Sequence, residues 1–168
     1  PAKVVVLGAR GAGGLRRLFL GTTSERLLRR TTRQTVLVVR QPPALAYRSV
    51  LVGIDFSPSS VRVLQAARHV APLARLLLFH AIESALPQGL VQTGLRAEAA
   101  GLAEHAWQAC IVEGRASTCL LEHQARCHLV VLGKHGRTLT EDLLLGSVTQ
   151  HVLAEGETDV LIVPAAAD

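Results

Sequence analysis

Gly133, Gly136, Gly146 and Ser147 stand in the spacing Gly-x2-Gly-x9-Gly-Ser directly after the apolar run His128–Leu132. Glycines let backbone N–H groups approach an anion closely, and a serine opening a helix adds a hydroxyl at the positive end of the helix dipole. The chemistry on offer is phosphate binding. In a single copy, glycines that only turn the chain and start a helix would explain the pattern equally well. The spacing recurs, however, as Gly8, Gly11 and Gly21-Thr22 after Val5–Leu7, and a turn requirement alone would not keep nine residues between glycines twice. Neither GxxxxGK[ST] nor GxGxxG occurs, so P-loop hydrolysis and hydride transfer both lose support. Asp55 follows the β-branched run Ser49–Ile54 and is the second candidate. At the carboxyl end of a strand, its carboxylate could accept hydrogen bonds from a ribose or lie near an adenine. It could equally cap the next helix, a task for which Ser57 and Ser59 compete. His135, between the cradle glycines, is the one plausible proton-transfer group, against the simpler reading of a loop histidine unrelated to chemistry.

Other chemistries find little to work with. No HExxH or CxxC occurs among the seven His and three Cys, so no metal site is expected, and Cys110, Cys119 and Cys127 read as reduced thiols of a cytoplasmic protein. Apolar runs such as Leu76–Phe79 are far shorter than the roughly 20 residues needed to cross a bilayer. No membrane association is expected. The net charge of +5 is unevenly placed: residues 1–40 hold nine Lys and Arg against Glu25 alone, leaving the rest net acidic. With Phe19, Phe56, Phe79, Tyr47 and Trp107 as the whole aromatic complement, a base-stacking surface is poorly supported and nucleic acid is an unlikely partner.

The elements that must position these residues show themselves as a repeat. Val5–Gly8 recurs as Val130–Gly133 and Phe19–Thr22 as Leu144–Ser147, both at an offset of 125, while Val36–Val39 recurs as Val160–Val163 at 124. Residues 1–41 are therefore expected to be the carboxyl-terminal strand-helix-strand part of a first domain, 42–46 a stiff Pro-Pro linker, and 47–168 a complete copy. In that copy the spacing predicts strands at 49–54, 75–82, 110–112, 128–132 and 159–163. Helices are expected at 60–70 with a stripe of Val61, Leu64, Ala67 and Ala71, at 117–126 and at 147–154. A further stripe of Leu95, Ala99, Leu102 and Ala106 is expected after a loop holding Pro87, Gly89 and Gly94. Strands that alternate with helices and read as continuous apolar runs predict an α/β fold, a parallel sheet covered on both faces.

Together, Val52-Gly53-Ile54-Asp55-Phe56-Ser57, Leu78-Phe79-His80-Ala81 and Val131 through Gly136 to Gly146-Ser147-Val148-Thr149 resemble the nucleotide-binding group of the universal stress protein family. The resemblance covers 47–164 as a full domain and 4–39 as a part-domain. It implies a flavodoxin-like, Rossmann-like open sheet of order 3-2-1-4-5 that binds ATP with Mg2+ or another divalent cation. Gly53, Ile54, Asp55 and Ala81 would face the adenosine, and Gly133, Gly136, Gly146, Ser147, Val148 and Thr149 the phosphates. The family usually has valine where Ala81 stands, which thins the adenine contact, and the stretch from Ile82 to His128 is short for its elements. The family's last strands commonly pair, which implies a homodimer or, in a tandem chain, Val36–Val39 against Val160–Val163. Three functions stay open: a nucleotide-dependent stress or signalling module, a slow ATPase, and a dimerising interaction protein without nucleotide.

Overall fold

The computed structural model describes residues 4–9, 22–31, 33–41, 46–83, 88–102, 106–134 and 145–164. In chain order these give β1 (Val4–Gly8), α1 (Thr22–Arg30), β2 (Thr35–Val39), β3 (Ser49–Gly53), α2 (Ser60–Val70), β4 (Arg75–Ile82) and α3 (Gln88–Glu98). After a 3-10 turn at Ala99–Leu102 come β5 (Trp107–Glu113), α4 (Ala116–Gln124), β6 (Leu129–Gly133), α5 (Ser147–Glu155) and β7 (Asp159–Val163). The strands form one sheet of order β1-β2-β7-β6-β3-β4-β5. Its last five positions are the expected 3-2-1-4-5 order, read from the opposite edge.

All neighbours in the sheet are parallel except β2 and β7, which pair antiparallel with Val36 opposite Ile162 and Val38 opposite Val160. Within one chain, then, the last strands of the two sequence repeats join edge to edge. An exposed β-branched edge seeks such a partner, and burial follows, since Val38 and Val160 are wholly inaccessible.

Two cores flank the sheet. Val50, Val52, Leu76, Leu78, Val131 and Leu161 meet Val63, Leu64 and Leu95 of α2 and α3 on one face. Leu51, Phe79, Val130 and Val160 meet Leu28, Leu120, Val152 and Leu153 of α1, α4 and α5 on the other. The central strands β6 and β7 are covered on both sides, which is why they carry no polar alternation.

Four expectations change in detail. The α2 stripe is rotated: Ser60, Val63, Leu64 and Ala67 are buried while Val61 is 47% exposed. β5 is longer than the three residues expected because all of Trp107–Glu113 pairs with β4. Helix α3 begins before its predicted stripe and includes Gly89 and Gly94, and Leu102 and Ala106 lie beyond it. Gly94 is inside a helix because the ring of Phe56 occupies the space a side chain would need: a Cβ there would fall 2.9 Å from Phe56 Cε1. Tertiary packing here outweighs the helix-weakening tendency of glycine.

Candidate functional site

Parallel register brings the two sequence signals to one edge. Val52 lies opposite Val131 and Gly53 opposite Phe79. Continuing each strand toward its carboxyl end places Asp55, Ala81 and the Gly133-Lys134 exit side by side. Gly53 permits this closeness, since a Cβ on it would come 2.6 Å from Leu132 Cδ2. Ile54 is held by its N–H donating to the Phe79 carbonyl at 2.8 Å. Its own carbonyl accepts from His80 Nδ1 at 2.7 Å, and because a carbonyl only accepts, that bond assigns the Nδ1 proton. Ala81 is half-buried with its strand neighbours on the α4 and α5 face.

Asp55 is partly committed to the entry of α2. Its Oδ1 accepts from the Ser57 N–H at 3.0 Å and the Ser60 hydroxyl at 3.1 Å. Phe56, next in the chain, has φ +59°, the left-handed region that a bulky residue seldom occupies. Its ring lies 4.7 Å from that of His80 and against Gly94. The strain is retained because the ring is gripped between β4 and α3, and it holds the Asp55 turn in place.

On the other side of the cleft, Gly133 ends β6. Its carbonyl accepts the buried Thr149 hydroxyl at 2.9 Å, so Thr149 braces the loop from behind. Lys134 donates its N–H to Val163 and accepts the Gly146 N–H at 2.8 Å, which draws the two ends of the glycine loop together. Gly146 is the N-cap of α5 and offers no side chain to cap it. Ser147 is exposed and Val148 half-buried at the helix start, so the first turn of α5 is turned toward the edge that holds Asp55 with its dipole uncapped. An anion is stabilised in such a place. Gly136 and His135 lie outside the described residues.

Lys134 is not part of the cradle. Only 2% exposed, it sends Nζ to the Arg29 and Thr31 carbonyls at 3.1 and 3.0 Å, closing the carboxyl end of α1 in the leading segment. The corresponding turn of α5 receives the mirror service from Arg40, whose guanidinium donates to the Leu153 and Gly156 carbonyls. Each repeat thus lends a buried cation to the other's last helix. Helix carboxyl ends leave carbonyls without partners, and a cation there meets both the hydrogen bonds and the dipole. Lys134→Met is expected to lower stability by about 1.5–3 kcal/mol, the worth of charged hydrogen bonds. Urea melts of the two proteins check this, and an unchanged midpoint would mean the bonds are worth nothing net.

Three things escaped the sequence reading: the Lys134 and Arg40 exchange, the Phe56 grip, and Glu98. The carboxyl group of Glu98 lies above the ordinary range, first because burial disfavours its charge and second because Asp55 repels it. A signal for Arg40 was available, a cation directly after an apolar strand. Glu98 gave none, since charges at the end of a helix are usually solvated.

A groove of about 1100 Å3 runs along the opposite, amino edge of the strands, lined by Tyr47, Leu73, Leu121, Gln124, His128 and Asp159 among others. Its lining includes three carboxylates and neither Lys nor Arg, which suits a polyanion badly. Among the described residues there is no group of three or more His, Cys, Asp or Glu able to hold a metal, and no helix long and apolar enough to cross a membrane.

In open α/β sheets of this kind the carboxyl edge of the strands, where Asp55 and the start of α5 meet, is the edge at which ligands bind. The model described as the Universal stress protein family matches residues 1–40 and 46–164, and the chain belongs to that family. A universal stress protein of Mycobacterium tuberculosis is 33% identical over 182 aligned positions, covering 96% of this chain and 61% of the relative. One from Mycolicibacterium smegmatis is 33% identical over 184, covering 96% and 62%. The chain thus spans about three-fifths of the length of these curated relatives. Among solved structures, a universal stress protein from Archaeoglobus fulgidus has TM-score 0.74 at 21% identity, covering 99% of this chain and 62% of that one. A universal stress protein in complex with cAMP has TM-score 0.59 at 31% identity, covering 72% of this chain and 99% of that one.

Proposed function

We infer that residues 47–168 form an adenine-nucleotide-binding module that holds ATP along the carboxyl edge of β3, β4 and β6, with 1–41 as part of a second such unit and 42–46 as the connection. The observation that carries this is the uncapped start of α5 on the same sheet edge as Asp55. The relative crystallised with cAMP supports an adenine nucleotide as the class of ligand. Backbone N–H groups of Ser147 and Val148, the Ser147 hydroxyl and the loop glycines Gly133 and Gly136 would hold the phosphates, while Gly146 and Thr149 set the loop's shape. Gly53, Ile54, Asp55 and Ala81 would meet the adenosine. Asp55 has one carboxylate oxygen engaged with Ser57 and Ser60, so the other serves the nucleoside. A divalent cation would ride on the phosphates and water, since among the described residues no carboxylate cluster stands ready for it.

Binding of this kind works as a switch on stability and surface. A ligand present at a hundredfold excess over its Kd stabilises the folded form by about 2.7 kcal/mol. The reading is of a module that binds and signals, and phosphate release in the titration below separates it from a slow ATPase. Three free thiols agree with the reducing cytoplasm as its compartment. The test is calorimetric titration of the 168-residue chain with ATP and Mg2+, together with extraction of any nucleotide that accompanies the purified protein. One site per chain and phosphate release near the spontaneous rate are expected. Failure of ATP, ADP and cAMP alike to bind or to raise Tm would overturn the assignment.

A further inference from the structure

At the repeat offsets of 125 and 124, Val4 and Val6 of β1 and Leu37 of β2 stand where Leu129, Val131 and Leu161 of β6 and β7 stand in the complete copy. The two sets differ in what covers them. Leu129, Val131 and Leu161 are wholly inaccessible, because α2 sets its stripe of Val63, Leu64 and Ala67 against them and β3 pairs parallel along the outer edge of β6. Val6 by contrast is 61% exposed, and Val4 and Leu37 are half-buried. Side chains alternate along a strand. Val5 and Leu7 turn to the core beneath α1, so Val4 and Val6 face the other side, and neither belongs to the core that α2 covers.

β1 is also the last strand of the sheet. Its outer edge lacks the usual guards of an open strand, since Val4–Leu7 include no charged residue and no proline and pair with β2 without a bulge. The same molecule displays the cover that such a surface takes: an apolar strand along the edge, then a helix with an aliphatic stripe on the face. A second copy of this chain has no such pair to offer. Its own β3 lies between β6 and β4, and its α2 is packed into the core beside them.

We propose that the outer edge of β1 and the face formed by Val4, Val6 and Leu37 dock the strand-and-helix opening of another universal-stress-type unit. The incoming strand adds parallel to β1, as β3 does to β6, and the incoming helix covers Val6 as α2 covers Val131. This docking depends on the repeat and not on nucleotide binding.

The experiment uses the full 168-residue chain and, as probe, a fluorescein-labelled peptide of the sequence 46–74, which holds β3 and α2. Fluorescence anisotropy is expected to show one saturable site, with slower amide hydrogen exchange at Val4–Gly8 in the complex. Val6→Lys is expected to weaken binding at least about tenfold, because the helix would bury an unpaired charge. The melt of the chain alone should not change, since Val6 is exposed. A peptide carrying Val63→Asp and Leu64→Asp should not bind. An isolated peptide loses its conformational freedom on binding, so the same sequence is also joined ahead of Pro1 through a Gly-Ser linker, where a rise in Tm is expected. Either gain, lost in Val6→Lys, supports the docking site. Absence of both gains, or equal gains in Val6→Lys, would overturn it. So would a dimer in light scattering that Val6→Lys dissociates, because a second copy would then occupy the face.

Discussion

Asp159→Ala is expected to cost the folded protein about 3–5 kcal/mol, since one buried carboxylate is the acceptor of three hydrogen bonds whose donors would be left unpaired. Asp159 opens β7 and is 5% exposed. One of its oxygens accepts the backbone N–H groups of Arg40 and Gln41 at 2.7 and 2.9 Å, and the other accepts the Tyr47 hydroxyl at 2.8 Å. Three donors, two from just after β2 and one from just before β3, meet on one carboxylate. Burial draws the Arg40 guanidinium below its ordinary value and Asp159 opposes that shift, while burial, then the hydrogen bond and charge of Asp159, push the Tyr47 phenol up. Without Asp159 the Arg40 cation, 2% exposed, keeps only the α5 carbonyls. For a chain of this size the loss corresponds to a fall in Tm on the order of 10 °C. Nucleotide affinity of the folded protein should not change, because this cluster lies at the amino edge of β7, away from Asp55. Thermal melts of the variant and of Tyr47→Phe, with a smaller expected loss of about 1–2 kcal/mol, check the ranking. A variant melting with the wild type would show that this carboxylate does not hold the two repeats together.

The second large effect is on binding. Asp55→Ala is expected to weaken ATP about ten- to a hundredfold, because a charged acceptor for the nucleoside is removed. Stability should also fall, by about 1–2 kcal/mol, since Asp55 Oδ1 receives Ser57 and Ser60 at the entry to α2. The two readouts therefore separate two roles of one side chain. Asn at this position should recover most of the stability, because an amide oxygen still accepts from the turn, and only part of the affinity. Calorimetry and melting on both variants provide the measurement. Full ATP affinity in Asp55→Ala would leave this residue as a helix-entry acceptor alone and remove the adenosine half of the site.

Much of the architecture was legible in the chain because its signals are local or repeat. Strands 75–82 and 159–163 are where their apolar runs put them, and α2 ends before Pro72 as the missing N–H requires. The recurring Val5–Gly8 and Val130–Gly133 fall on strands β1 and β6, and the chain belongs to the family that its residues resemble. Asp55 and the glycine loop could be named from sequence because chain position alone puts them at strand ends, and strand ends in a parallel sheet share one edge.

What the sequence could not reveal depends on partners brought together from distant parts of the chain. Lys134 reads as one more loop cation beside two glycines, and only the packing of α1 against the β6 exit turns it inward to Arg29 and Thr31. Gly94 reads as a loop glycine until the Phe56 ring is seen filling the place of its side chain. Arg40 and Asp159, 119 positions apart, become neighbours because β2 joins β7 antiparallel. Periodicity and local propensity determined the elements, their order and the edge on which Asp55 and the end of β6 meet. Tertiary structure alone decided which charges are buried, because burial depends on what other segments bring into contact and leaves no mark on the spacing of residues along the chain.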